Sequence, residues 1–257
     1  MSFNSLYPRF ANCGANDEQN QHLWVKGASL IYDQINSLLK YTDFVPDMVH
    51  ISEFDNGKSQ ELGALLNKHR SDKAIPGGHN YHILYSHLLD KLGRHNQLNI
   101  LEIGLGTNNP NLVSSMGAHA NPGSSLYAWE EYLPNSNIYG ADIDRAILFN
   151  RGRIQTHYVD QLEPSTFLQM QNKFNKKYDL IIDDGLHSTA AQLNTLLFGL
   201  EHIKDGGYIV IEDIWKKISD NWNVFHFILQ NNKQFKTQII DSNLATMFLI
   251  QKLPKST

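Results

Sequence analysis

Acidic side chains and one histidine follow two apolar runs of the sequence, and together they could hold a metal ion and move a proton. The first run ends in Asp183-Asp184, and His187 comes three residues after Asp184. The second run ends in Glu212-Asp213. If the runs are neighbouring strands of a parallel sheet, their carboxyl ends meet and the acids converge at one edge. Crowded carboxylates repel one another unless a cation lies among them, and such oxygen ligands suit Mg²⁺. Histidine, with an ordinary pKa of about 6.5, can accept a proton at neutral pH.

A glycine pair follows an earlier apolar run and indicates a ligand-binding turn. The stretch Glu102-Ile103-Gly104-Leu105-Gly106 closes that run, and glycines allow the backbone to approach a ligand closely. A dinucleotide site would have a third glycine at position 109, but Asn109 stands there and Pro110 follows, so NAD is disfavoured. The next run ends in Asp142, whose carboxylate could accept both hydroxyls of a ribose. The pattern favours an adenosine without a pyrophosphate.

Short strand-like runs must position these side chains. Four apolar runs and one polar-alternating run lie at residues 98–103, 138–142, 153–159, 178–183 and 207–212. Near-continuous apolar runs are typical of strands buried on both faces of a parallel sheet, and a helical stripe from Leu193 to Ile203 separates the last two. Two final runs around Asp241-Ser242-Asn243 indicate an antiparallel hairpin. The sequence therefore predicts an α/β fold, with a Rossmann-like, doubly wound, mostly parallel sheet and a C-terminal hairpin.

Residues 1–70 predict a helical N-terminal extension, ahead of a domain at residues 71–257. Asn16 or Asp17 could cap a helix that ends near Tyr41, and a second helical pattern stops around Arg70. Such an extension would cover a sheet edge or make a dimer contact, and a lid over the site is the alternative.

Composition argues against several classes of protein. The chain has 257 residues, 41% of them hydrophobic, which is enough for a sizeable core. A net charge of −4 gives no overall footprint for nucleic acid. The single Cys13 rules out an intramolecular disulfide and a multi-cysteine zinc site. Because the sequence shows no signal-peptide pattern and no membrane-length apolar run, we expect a cytoplasmic protein without a nucleic-acid partner.

The ordered motifs resemble those of a known enzyme family. Residues 101–106, Gly140-Ala141-Asp142 and Asp160-Gln161 are similar to the successive cofactor motifs of class I S-adenosylmethionine-dependent methyltransferases, which have a Rossmann-like fold. The resemblance implies that the glycine turn lies near the methionine part of S-adenosylmethionine, Asp142 at the ribose and Asp160 near the adenine amine. The residues predicted to contact the cofactor are Glu102, Gly104, Gly106, Asp142, Asp160, Gln161, Asp183, Lys73 and Tyr81.

A narrower resemblance, over residues 70–250, is to the metal-dependent sugar O-methyltransferases that act on glycosylated macrolides and related glycans. It also includes Ser71-Asp72-Lys73, His79, Tyr81, Tyr85, Ser125-Leu126 and Trp129. It implies that Asp184 and Asp213 are ligands of a divalent metal, Mg²⁺, and that His187 is the general base. That branch has a third acidic ligand, for which the candidates are Glu130, Glu131 and Asp183.

Plainer interpretations of several residues stay open at this stage. Asp184 or Ser188 could cap the following helix, and Trp129 fits a core-facing helix stripe. His79 and Tyr81 could pack in the core or could contact the cofactor or the substrate.

The sequence predicts transfer of a methyl group from S-adenosylmethionine to a sugar hydroxyl on a surface polysaccharide or its nucleotide-linked precursor. A glycosylated natural product or other small molecule is the second acceptor class, and a homo-oligomer is left open. The alternative from another class is a non-catalytic partner subunit with the same fold.

Overall fold

One mixed sheet dominates the computed structural model, which describes residue 31 and residues 33–254. Within these residues, nine strands pair in the order β1-β8-β9-β7-β6-β2-β3-β5-β4. They are β1 (Met48–His50), β2 (Asn99–Ile103), β3 (Asn137–Asp142), β4 (Asn150–Arg151), β5 (Ile154–Tyr158), β6 (Tyr178–Asp183), β7 (Ile203–Ile214), β8 (Phe235–Asp241) and β9 (Thr246–Lys252).

The strand directions confirm the predicted α/β fold. The neighbours β7, β6, β2, β3 and β5 are all parallel. Strand β9 is antiparallel to both β7 and β8, as the predicted hairpin requires. From β2 the chain builds outward first through β3 and β5 and then, on the other side, through β6 and β7. This reversal at β2 is the crevice at which doubly wound sheets bind ligands.

Helices cover both faces of the sheet. They are α1 (Ser59–His69), α2 (His82–Leu92), α3 (Ser124–Tyr132), α4 (Pro164–Phe174), α5 (Thr189–His202) and α6 (Trp222–Gln230). Side chains of α1, α2 and α3 join one buried apolar cluster with Ile100 of β2, whereas those of α4, α5 and α6 join another with Leu101. Because strand side chains alternate between faces, burial on both sides explains the near-continuous apolar runs. No helix of the described residues is both long and apolar enough to cross a membrane.

The first 70 residues are less purely helical than predicted. Residues 48–50 form β1, which pairs in parallel with β8 at the edge of the sheet. Three residues are too few to show a strand period, so the pattern missed this element. Most of the predicted first helix lies outside the described residues; residues 33–38 are helical and lead into a 3₁₀ turn at Leu39–Tyr41. The domain division at residue 70 stays a prediction, and α1 shares a core cluster with α2 and α3.

The sequence patterns also did not identify α2, α4, α6 or β4 as elements. Ile203, the last residue of the predicted helical stripe, instead begins β7, where it pairs with Tyr178 of β6.

The register of the sheet aligns the strand ends that carry the chemistry. Ile103 of β2 pairs with Asp183 of β6, which pairs in turn with Ile211 of β7. On the other side, Ile103 pairs with Ala141 of β3. The residues that follow these pairs therefore emerge side by side at one edge of the sheet, as the sequence predicts.

Candidate active site

A cavity of about 320 Å³ opens where the carboxyl ends of β2, β3 and β6 meet. This volume lies in the range of small-molecule sites. Its wall includes five of the predicted cofactor residues, the predicted metal ligand Asp184 and the predicted base His187. The five cofactor residues are Gly104, Gly106, Asp142, Asp160 and Gln161. Residues 111–114 and Met116, from the connection between β2 and α3, also line it. Sequence reasoning missed this segment because it shows neither a helical nor a strand period.

Gly104 allows the ends of β2 and β6 to pack directly against each other. Its backbone is in the left-handed region, with φ +96°, and a Cβ at this position would collide with the carbonyl group of Asp184. The amide of Asp184 donates to the carbonyl of Ile103 at 2.8 Å, which holds the same contact. The glycine therefore keeps the floor of the cavity free of side chains.

Asp142 fastens the glycine turn to the end of β3. Its Oδ2 accepts the backbone N–H of Leu105 at 2.7 Å, and its Oδ1 accepts that of Asp144 at 2.7 Å. Burial raises the pKa of this carboxyl, and the two amide donors oppose the shift. Each carboxylate oxygen can accept a second bond, so the group can still receive ligand hydroxyls.

Gln161 and Asp183 form the frame of the loop that carries Asp184 and His187. The Gln161 Nε2 donates to Asp183 Oδ2 at 2.9 Å and to Thr195 Oγ1 at 2.8 Å, while its Oε1 accepts the amide of Leu186 at 2.6 Å. Asp183 is fully buried, and burial raises its pKa. The Gln161 side chain is thus committed to the protein. Asp160 beside it accepts the Leu162 amide at 2.9 Å and lines the cavity.

One group of side chains at the cavity edge, called the acidic group below, consists of Asp184, His187 and Asp213. Each offers one possible ligand atom, and these atoms lie within 4.8 Å of one another. The Nε2 of His187 is 3.7 Å from Oδ2 of Asp213. Asp213 lies in an irregular part of β7 and has a left-handed backbone, with φ +52°, which is uncommon outside glycine. The predicted convergence of these three residues is confirmed.

Lys73 lies behind this group and does not reach the cavity wall. It is 1% exposed, and its Nζ donates to Asp184 Oδ2 at 2.5 Å and to Glu212 Oε2 at 2.6 Å. Glu102 Oε1 is 3.5 Å away. Burial by itself lowers the pKa of the ammonium, but the three carboxylates outweigh burial and hold the pKa well above its ordinary value. Lys73 is therefore the counter-ion of these acids, a position that nothing in the local sequence indicates.

Two tyrosines of the same region hold the neighbouring acids. The hydroxyl of Tyr81 donates to Asp213 Oδ1 at 2.5 Å, and that of Tyr85 donates to Glu212 Oε1. Both rings are almost fully buried, and burial together with the carboxylates raises the pKa of each phenol. The Nδ1 of His79 lies 3.6 Å from the same oxygen of Asp213. Tyr81 thus contacts an acid of the site, and it lies outside the cavity wall.

Glu102 is buried behind the glycine turn. It accepts hydrogen bonds from the Ser125 hydroxyl and from the Trp129 ring N–H, each at 2.6 Å. Burial raises its pKa, and Lys73 opposes the shift. Trp129 has no exposed surface and joins the core, which agrees with its interpretation as a core residue.

The three candidates for a further acidic ligand lie outside the group of Asp184, His187 and Asp213. Glu131 pairs with Lys68 and His69, and Glu130 accepts the Arg153 amide at 2.7 Å. Asp183 is fully buried and accepts the hydrogen bond from Gln161 described above. Among the described residues, the third member of the group is His187.

Curated relatives match part of the chain, whereas no protein-family model matches it. A tetracenomycin-C rhamnosyl 3'-O-methyltransferase of Streptomyces olivaceus is 31% identical over 158 residues, which are 60% of this chain and 37% of that enzyme. Mycinamicin VI 2''-O-methyltransferase of Micromonospora griseorubida is 30% identical over 48% of this chain and 28% of its own length. The matches thus span about a third of these relatives.

Solved structures agree in fold. The MycE methyltransferase of the mycinamycin pathway, in complex with Mg and S-adenosylhomocysteine, superposes with a TM-score of 0.60 at 21% identity, over 75% of this chain and 55% of that one. A complex that also holds mycinamycin VI gives the same TM-score. In sequence and in fold, the chain therefore resembles the class I S-adenosylmethionine-dependent methyltransferases, and among them the sugar O-methyltransferases of macrolide and tetracenomycin pathways.

Proposed function

We propose that the chain transfers the methyl group of S-adenosylmethionine to a sugar hydroxyl. The observation that carries the proposal is that Asp184 and His187 line the same cavity as the glycine turn and Asp142. A methyl donor bound against the turn would face the carboxylate and imidazole groups that an alcohol acceptor needs. The names of the curated relatives, which are O-methyltransferases of sugar-bearing compounds, support the same reaction.

S-adenosylmethionine fits the wall of the cavity. The backbone at Gly104 and Gly106 would approach its methionine part, and Asp142 would accept the ribose hydroxyls on the lone pairs that the Leu105 and Asp144 amides leave over. Asp160 would lie near the adenine amine. Three further residues, Gln161, Asp183 and Glu102, would support binding through the residues that they contact. Lys73 and Tyr81 instead bond to the acids of the proposed cation site.

A divalent cation, Mg²⁺, fits the acidic group. In the described structure, Lys73 and Tyr81 bond to one oxygen each of Asp184 and Asp213, and this leaves Oδ1 of Asp184 and Oδ2 of Asp213 for a cation. We propose these two aspartates as the ligands, because carboxylate oxygens suit Mg²⁺. When bound, the ion would polarise the acceptor hydroxyl and orient it.

His187 is the proposed general base. The acceptor oxygen attacks the methyl carbon, the bond from that carbon to sulfur breaks, and the hydroxyl proton must leave. The His187 side chain is 37% exposed at the cavity edge, so its imidazole can take this proton and pass it to water. The alignment of oxygen, carbon and sulfur accounts for much of the expected acceleration.

The charge of the cavity favours a neutral acceptor. In the described part of the chain its wall includes four aspartates and neither lysine nor arginine, so apart from the proposed cation it holds no permanent positive charge that would pair with a diphosphate: Asp72, Asp142, Asp160 and Asp184. Of the acceptors that the sequence left open, a sugar on a neutral glycoside or polysaccharide is therefore better supported than a nucleotide-linked precursor.

A labelled-methyl assay tests the proposal. The protein would be incubated with methyl-labelled S-adenosylmethionine and Mg²⁺ against neutral glycosides, polysaccharide fragments and nucleotide diphosphate sugars, with heat-denatured protein as the control. We expect label in a neutral glycoside or polysaccharide. Label only in nucleotide sugars would refute the acceptor class. Tight binding of S-adenosylhomocysteine by calorimetry, without label in any sugar, would favour the alternative that the chain is a non-catalytic partner subunit.

A further inference from the structure

Lys73 connects two layers of the protein behind the acidic group. It lies on a 3₁₀ turn, Asp72–Ala74, directly after α1, and the amide of Ser71 donates to the carbonyl of Leu66 in that helix at 2.9 Å. Its two partners, Asp184 and Glu212, lie at the ends of β6 and β7. The helix layer therefore fixes the position of the Lys73 ammonium, and this ammonium fixes the positions of the Asp184 and Glu212 carboxylates.

The contact with Asp184 is directional. Lys73 binds Oδ2 of Asp184, whose Oδ1 has no hydrogen bond within the described residues. The same carboxylate belongs to the group that contains His187 and Asp213. The Asp184 side chain is 18% exposed, whereas Lys73 and Glu212 are each 1% exposed. Asp184 thus has a fixed partner on its inner side and open space on its outer side. Without that partner, its carboxylate could turn away from His187 and Asp213.

We propose that Lys73 is a positioning residue that holds Asp184 in the orientation that binds the divalent cation. The inference rests on the proposed cation site, and it adds a residue that contacts neither cofactor nor cation. Groups behind metal ligands commonly change metal affinity by about 10–100-fold when they are removed.

The sign of the effect separates positioning from charge. Lys73 is a positive charge beside the site, so by Coulomb repulsion alone its removal would strengthen binding of a divalent cation. Loss of positioning predicts the opposite, since Asp184 would no longer be aimed at the cation.

The test is a titration of the protein with Mn²⁺, followed by electron paramagnetic resonance, in wild type and in Lys73→Met. Because Lys73→Met leaves Glu212 without its cation and could unfold the chain, the double variant Lys73→Met/Glu212→Gln removes both charges and is compared with Glu212→Gln alone. The control is Lys204→Met, which removes an ion pair with Asp179 at 2.6 Å, at the opposite end of β6. S-adenosylhomocysteine affinity and thermal unfolding report the integrity of the fold.

We expect Mn²⁺ to bind at least about tenfold more weakly in Lys73→Met than in wild type, and in the double variant than in Glu212→Gln. S-adenosylhomocysteine affinity should change little, and Lys204→Met should bind Mn²⁺ like wild type. Unchanged or tighter Mn²⁺ binding in either Lys73 variant, relative to its parent, would overturn the inference. A wild-type protein that binds S-adenosylhomocysteine but no Mn²⁺ would refute the proposed cation site, and the inference with it.

Discussion

Replacement of Asp142 by alanine should reduce both stability and cofactor affinity, because the carboxylate both holds the glycine turn and lines the cavity. It accepts the amides of Leu105 and Asp144 at a position that is only 6% exposed, and it faces the cavity. In Asp142→Ala both amides lose their acceptor. A buried amide without a partner costs about 1–3 kcal/mol.

The loss is partly offset, because burial raises the pKa of Asp142 and the folded protein therefore bears a cost for its charge. We expect a net destabilisation of about 2–4 kcal/mol, which corresponds to a fall in Tm of about 4–16 °C for a domain of this size. Loss of one charge-assisted hydrogen bond to the ribose, at about 1.5–3 kcal/mol, should weaken S-adenosylhomocysteine binding by about 10–150-fold.

Asp160→Ala is the matched control. Asp160 lines the same cavity, but among the described residues its carboxylate accepts only the amide of Leu162, a largely exposed residue. Calorimetric titration with S-adenosylhomocysteine and thermal unfolding should show weaker binding with a Tm within about 2 °C of wild type. The reasoning is refuted if Asp142→Ala keeps the wild-type Tm and affinity, or if Asp160→Ala loses more stability than Asp142→Ala.

Three further outcomes are expected. Treatment with EDTA should abolish methyl transfer but leave S-adenosylhomocysteine binding unchanged in calorimetry, because the ion acts on the acceptor oxygen. Asp184→Ala and Asp213→Ala should have the same two effects. Full activity in verified metal-free protein would contradict the metal assignment. His187→Ala should lower kcat by about 10²–10⁴-fold with little change in cofactor affinity, and near-normal steady-state turnover with metal bound would show that the base is another group. Burial lowers the pKa of His226, so the unfolded chain takes up a proton that the folded chain does not, and stability should fall as the pH drops below about 6.5. Thermal unfolding of His226→Gln should show a smaller loss of Tm between about pH 7.5 and about pH 5.5 than wild type, and an equal loss would rule out His226 as the source.

Much of the sheet could be predicted from the sequence because its signals are local. The runs that became β2, β3, β6 and β7 are largely apolar, since helices cover both faces of the sheet. Once parallel strands are predicted, the residues after them must share an edge, and this is why Asp184, His187 and Asp213 could be brought together from their positions alone. Strand β1 escaped because three residues carry no period, and it exists only through its pairing with β8.

The sequence by itself determined the fold class, the edge of the sheet that holds the cavity, and the acids and histidine that gather there, because strand period and parallel topology are properties of short segments. Only the tertiary structure decided which predicted residues line the cavity and which support it from behind. Lys73 is 111 residues from Asp184 and 139 from Glu212, and Tyr81 is 132 from Asp213. Pairings over such separations depend on how α1 and α2 pack against the sheet. The energy of a buried charge depends on the partners that this packing supplies, so no local pattern could assign Lys73 its place as counter-ion of the acidic group.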